Sequence, residues 1–225
     1  MAKKIVKRRK LKIFSLLILL LIVGIISFFL CFYIKSGVKN IIIKGNTYLN
    51  DEEVLKLAKL TDYPSFIMLN TFKTEDRIEK NKYVKKAKVN RKFFHTVVIE
   101  IKEHQILFQN TNNKYVLENG KEILSNKNIR VPKLINYTPE DKYKSFIENM
   151  VEVDKSILGK ISEISYDPNE FDKDRFLLYM DDGNSVFLTL TKFEMINYYN
   201  EVLSQLEGRK GILYLDSGNH FKIME

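Results

Sequence analysis

Three periods of hydrophobic and polar positions run along this chain. Residues 13–34, "IFSLLILLLIVGIISFFLCFYI", are 22 positions without a charge. As a helix they rise ~33 Å, enough for a bilayer core of ~30 Å, so they predict one transmembrane helix. Residues 82–104, "KYVKKAKVNRKFFHTVVIEIKEH", alternate instead. Ala87, Val89 and Phe93 fall on one side of a first run, and Val97, Ile99 and Ile101 on one side of a second. Lys86, Lys88, Asn90, Lys92, Glu100 and Lys102 fall opposite. Period two predicts a hairpin with one dry and one wet face. Phe93 is expected in the core and Phe94 in the turn. A helical stripe of Val54, Leu55, Leu57 and Ala58 follows Asn50, whose spacing to Glu53 is that of a capping box.

The same reading orders the rest. "VKNIIIKGN", 38–46, is a strand ending at a turn, and Thr74 is expected to cap a short helix "EDRIEKN". With the hairpin this makes β-α-α-β-β over 38–104. From Gln105, "ILFQN", "KYVLENGKEIL" and "VPKL" read as short strands, with Asn119-Gly120 turning a hairpin. A helix is expected across "PEDKYKSFIENMVEVDKSI". "ISEISYD" and "DRFLLYMDDGNSVFLTL" are strands, the second folded at Asp182-Gly183. Thr191 and Glu194 suggest a second capping box, with Gly208 at that helix's end. "GILYLDSG" and "HFKIM" close the chain as strands. The fold class is α+β. The divisions are a basic tail at 1–12, a membrane anchor at 13–34, one module at 38–104 and a second β-rich lobe with flanking helices at 105–225.

Charge changes the picture in one place. The formal net charge is +9, but residues 1–12 hold seven Lys and Arg and no acid, and without them 30 basic residues face 28 acidic ones. A basic cluster beside an apolar span sets topology, so the N-terminus is expected inside and residues 36–225 outside; nucleic acid is not expected as a partner. The run is too long for a cleaved signal peptide and lacks a small-x-small site. Cys31 is the only cysteine, so the outer part has no disulfide and folds on its own core.

Catalytic chemistry finds little support. Gly-rich phosphate loops, G-x-S-x-G, H-E-x-x-H and paired cysteines are absent from the sequence. His95, His104 and His220 are expected at exposed turns and strand ends. "DPNEFDKD", 167–174, fails the calcium-loop pattern, with Asp172 where Gly belongs and Leu178 where Glu belongs, and reads as a solvated turn. Neither catalytic nor metal residues are assigned, and no cofactor or small-molecule substrate.

In this order the elements resemble the FtsQ/DivIB family of bacterial cell-division proteins. "VKNIIIKGNTYLNDEEV" and "YVKKAKVNRKFFHTVVIEIKEH" look like the start and end of an FtsQ-type POTRA domain, with its Val-x-x-Ala-x-Val-x-Arg strand and its final Glu. "YVLENGKEI", "VPKL", "LYMDDGNSVFL" and the closing helix and strands resemble the family's C-terminal domain. Phe94 stands where the family usually has Pro. The basic tail is short, and no long extension is expected after residue 225. The resemblance implies a scaffold at the division septum, not an enzyme, that binds FtsL-like and FtsB/DivIC-like partners outside the cytoplasmic membrane. A membrane-anchored cell-wall hydrolase and a POTRA export chaperone are the rival readings. The resemblance also implies strand addition at "GILYLDSGNHFKIME". Phe221 and Ile223 alternate with Lys222 there, and Tyr198, Tyr199 and Tyr214 are candidate aromatic anchors.

Overall fold

The computed structural model describes residues 13–224, so the basic tail expected at 1–12 lies outside them. Two compact units divide between Glu103 and His104.

The first unit opens with α1 (Ile13–Lys35). Over Phe14–Cys31 its mean hydropathy is 3.0 and none of it is buried in the protein. It is long and apolar enough to cross a bilayer. Then come β1 (Asn40–Lys44), α2 (Asp51–Ala58), α3 (Thr71–Glu79), β2 (Val84–Lys92) and β3 (Thr96–Glu103), with sheet order β1-β3-β2. Asn50 caps α2 as expected: its side chain accepts from Glu53 N, and Glu53 returns a bond to Asn50 N. Thr74 does not cap α3. Asn70 does, accepting from Lys73 N at 3.0 Å, while Thr74 lies buried one turn in with its hydroxyl on the Asn70 carbonyl.

Val89, Ile99 and Ile101 are buried under α2 and α3, and Lys88 and Lys102 are exposed. Phe93 is not in the core: it is 91% exposed. The strand ends at Lys92, and Arg91 takes the last position on the dry side, reaching the Ile67 carbonyl at 2.9 Å. Val98, on the wet side, is buried because β3 is central and Ile42 and Asn90 flank it.

The second unit holds nine strands: β4 (Ile106–Gln109), β5 (Tyr115–Leu117), β6 (Glu122–Ile123), β7 (Lys133–Leu134), β8 (Ile161–Tyr166), β9 (Arg175–Met180), β10 (Ser185–Thr189), β11 (Gly211–Tyr214) and β12 (His220–Ile223). They form one sheet in the order β12-β11-β10-β9-β8-β7-β4-β5-β6. The helix expected over 139–157 breaks at Glu152 into α4 (Glu140–Val151) and α5 (Lys155–Leu158). A 3₁₀ segment (Leu190–Tyr198) and α6 (Tyr199–Gln205) make the crossover that the parallel β10–β11 pair requires. The Thr191–Glu194 capping box does not form; the residue before the segment is Thr189, and no side chain caps it. Phe146 of α4 stacks on Phe176 of β9 at 4.6 Å and meets Phe193 at 5.7 Å, the centre of this unit's core.

Candidate partner-binding edge

β12 is an outer strand of the nine-stranded sheet. Among the described residues it pairs only with β11, antiparallel, with Leu213 opposite Phe221 and Gly211 opposite Ile223. Met224 N bonds to the Lys210 carbonyl at 2.9 Å, so alternation turns the backbone groups of Phe221 and Ile223 outward, away from β11. Their side chains point to the helix-covered face. There Phe221 and Tyr198 line a cleft of ≈ 350 Å³ with Met195, Val202, Leu206 and Leu213. Ile223, two residues further along the strand, is exposed. The edge therefore offers free backbone hydrogen-bonding groups beside an apolar channel.

Of the five residues read from sequence, Tyr198 and Phe221 come together at the cleft, and Ile223 shares their face by alternation along β12. Tyr214 stands on the other. It stacks between Phe187, at 5.3 Å, and His220, at 4.7 Å, and Arg175 lies over Phe187 at 4.4 Å. That ladder crosses β9 to β12 and braces the outer strand. Tyr199 cannot be a surface anchor: it is 1% exposed. Leu190, Phe193, Ile196 and Tyr199 are all buried at intervals of three, the period of a 3₁₀ helix, which turns Tyr199 inward and leaves Tyr198 outside.

Sequence reasoning missed what supports the edge. Tyr199 Oη donates to Asp182 at 2.8 Å, and buried Asn184 donates to the same oxygen at 2.9 Å. Asn184 also accepts from Gly211 N at 2.9 Å. One network thus ties the β9–β10 turn, the start of α6 and the start of β11. Burial pushes the Tyr199 phenol well up, and its bond to Asp182 adds to that. Burial would raise Asp182, but bonds from Asn184 N–H and Tyr199 and the Lys210 charge outweigh it, so Asp182 is lowered. The only sequence signal was Asn184 directly after the Asp182-Gly183 turn, where Gly183 has φ +90°.

The expected exposure of the histidines holds for His220 alone. His95 packs between Tyr33 and Phe66, and His104 is largely buried with Nδ1 3.1 Å from Glu118. In 167–174 the side chains are committed to the turn and to ion pairs. Asn169 accepts from Asp172 N, Asp167 pairs with Arg175 at 2.6 Å, and Asp174 pairs with Lys142 at 2.6 Å.

Comparison with known proteins places both units. The POTRA domain, FtsQ-type, matches residues 36–104, and the C-terminal domain of cell division protein FtsQ/DivIB matches residues 106–217. The cell division protein DivIB of Bacillus anthracis is 31% identical, across 98% of this chain and 84% of its own length. The chain belongs to the FtsQ/DivIB family. DivIB of Bacillus subtilis strain 168 is 30% identical, across 97% of this chain and 88% of that protein. The solved extracytoplasmic domain of DivIB from Geobacillus stearothermophilus is 24% identical over 47% of this chain and 96% of its own, with a TM-score of 0.39. A division role follows for this FtsQ/DivIB chain, and α1 is its one helix, among the described residues, long and apolar enough to cross a membrane.

Proposed function

We propose that the chain is a non-enzymatic, single-pass scaffold of the division complex, with its N-terminus inside and its two domains outside at the septum. It binds FtsL-like and FtsB/DivIC-like bitopic partners and so helps control septal cell-wall synthesis. The observation that carries this reading is the open β12 edge beside its apolar cleft. An extended partner segment adds to such an edge through main-chain bonds, while its side chains enter the cleft. The POTRA-type sheet treats its β2 edge differently. Glu75 accepts from Val89 N at 2.7 Å and Glu79 from Ala87 N at 2.9 Å, so helix carboxylates already occupy backbone donors there.

The test is pull-down of the FtsB/DivIC homologue with the full chain, alongside thermal melting. Phe221→Ala should weaken capture with little change in melting, and truncation after Ser217 should abolish capture. Unchanged capture by both would move the partner site to the first domain or the span. A fluorescent fusion spread evenly around the cell, with no band at midcell, would remove the septal assignment.

A further inference from the structure

The turn of the POTRA hairpin exposes apolar surface that its own fold does not use. Phe93 is 91% and Phe94 87% exposed. Phe94 also holds φ +61°, and His95 after it +57°, a backbone region that bulky residues rarely enter. Exposure and strain at adjacent positions point to selection by something other than packing. The loop that adjoins the turn exposes Tyr63, Ile67 and Met68 as well.

All of this lies where the chain leaves α1. The His95 ring packs on Tyr33 at 4.9 Å and on Phe66 at 5.0 Å. The His95 carbonyl accepts from Lys39 N at 2.9 Å, and Phe66 N donates to the Ser36 carbonyl at 3.1 Å. Gly37 bridges to Ser65. A cleft between helix and turn is lined by Phe29, Leu30 and Tyr33 on one side and Lys39 and His95 on the other. Tyr33 is the last residue but one of the uncharged run. At ~1.5 Å per residue, its ring contact sets the turn level with the outer end of the span.

We propose that this turn is a foot on the membrane: Phe93 and Phe94 insert among the headgroups of the bilayer that α1 crosses, and the exposed Lys39 and Lys92 meet lipid phosphates. The inference rests on the reading of α1 as a membrane span. Continuity with that span selects lipid as the occupant, since the surface begins where the helix emerges. Apolar rings beside basic side chains are also the composition that binds an anionic interface. The foot would hold the POTRA-type domain against the bilayer at two points, the covalent exit and the turn.

The chain contains no Trp, so one substitution gives a unique fluorophore. Phe93→Trp adds an indole at an exposed position whose φ is not in the left-handed region. The full chain is reconstituted in vesicles containing phosphatidylglycerol. Its emission should be blue-shifted against that of Phe171→Trp, a control at another exposed position. Lipids brominated near the headgroup should quench Phe93→Trp several-fold more than they quench Phe171→Trp. Leu21→Trp reports insertion of α1 separately, through lipids brominated at the chain ends. Quenching of Leu21→Trp while Phe93→Trp behaves like Phe171→Trp overturns the foot and leaves the span standing. Absence of quenching at Leu21→Trp overturns the span, and the foot with it. Shielding of Phe93→Trp in native membranes but not in pure vesicles overturns lipid in favour of a protein partner.

Discussion

Single carboxylates and amides fasten this protein at points where strands and loops meet. Glu103, the last residue of β3, accepts from Thr47 N, Tyr48 N and Leu49 N at 2.7, 2.7 and 2.9 Å. Three charge-assisted bonds to one side chain pin the β1–α2 loop, and two of the donors are partly buried. Glu103→Ala should therefore lower stability by roughly 2–3 kcal/mol, mostly from stranded donors; a denaturant melt that shifts by less than about 0.5 kcal/mol would mean water replaces the carboxylate. The Asn184 network makes a pH prediction with two signs. Tyr199 holds its proton in the folded state beyond the ordinary phenol value of 10.0, so its contribution is full below that pH and declines above it. Asp182 is held below the ordinary 3.8, so its contribution is full above that pH and is lost as pH falls through the lower folded value. Tyr199→Phe should weaken the protein near neutral pH and flatten the loss of stability above pH 10.0, read from melting temperature against pH. An unchanged alkaline slope would show that another group carries it.

Among the elements, the outer strand β12 depends on one small residue. A Cβ at Gly211 would collide with the Lys222 carbonyl and the Phe221 ring. Gly211→Ala should push β12 off β11, reducing capture of an FtsB/DivIC-like partner by roughly tenfold, about 1.4 kcal/mol. The rest of the sheet should stay folded by circular dichroism. Capture equal to that of the unaltered chain would separate the partner site from this strand. Much of this architecture is legible in the sequence. The Asn119-Gly120 and Asp182-Gly183 turns have Gly at φ +75° and +90°, and the strands around them follow from alternation. Errors arise where two local rules compete. Thr74 and Asn70 are both capping types, four residues apart, and only the burial of Thr74 decides between them. Thr191 and Glu194 match an α-helical cap, while the buried residues beside them repeat every three positions and favour 3₁₀ geometry. Phe93 continues an alternation that the turn interrupts. Beyond the turn that holds Asp182, the Asn184 network was illegible because Tyr199 and Gly211 are brought to Asn184 only by the tertiary fold.

At the scale of the whole molecule, charge and length along the first 35 residues decide where everything else works. An uncharged 22-residue run is long enough to cross a bilayer, and its two flanks differ sharply in charge. Seven basic residues precede it, against Lys35 and Lys39 just after it. Positive residues resist translocation, so the N-terminus is expected to stay in the cytoplasm and both domains to cross. That orientation is also the one in which the Phe93–Phe94 turn meets the outer leaflet and the β12 edge meets other extracytoplasmic chains. Protease added to intact protoplasts should remove the chain beyond about residue 36 and leave a small membrane-bound fragment carrying α1. An epitope at the N-terminus should survive the same treatment until detergent is added. Survival of a C-terminal epitope in intact protoplasts would reverse the topology, and with it both the proposed partner edge and the proposed membrane foot would be facing the wrong compartment.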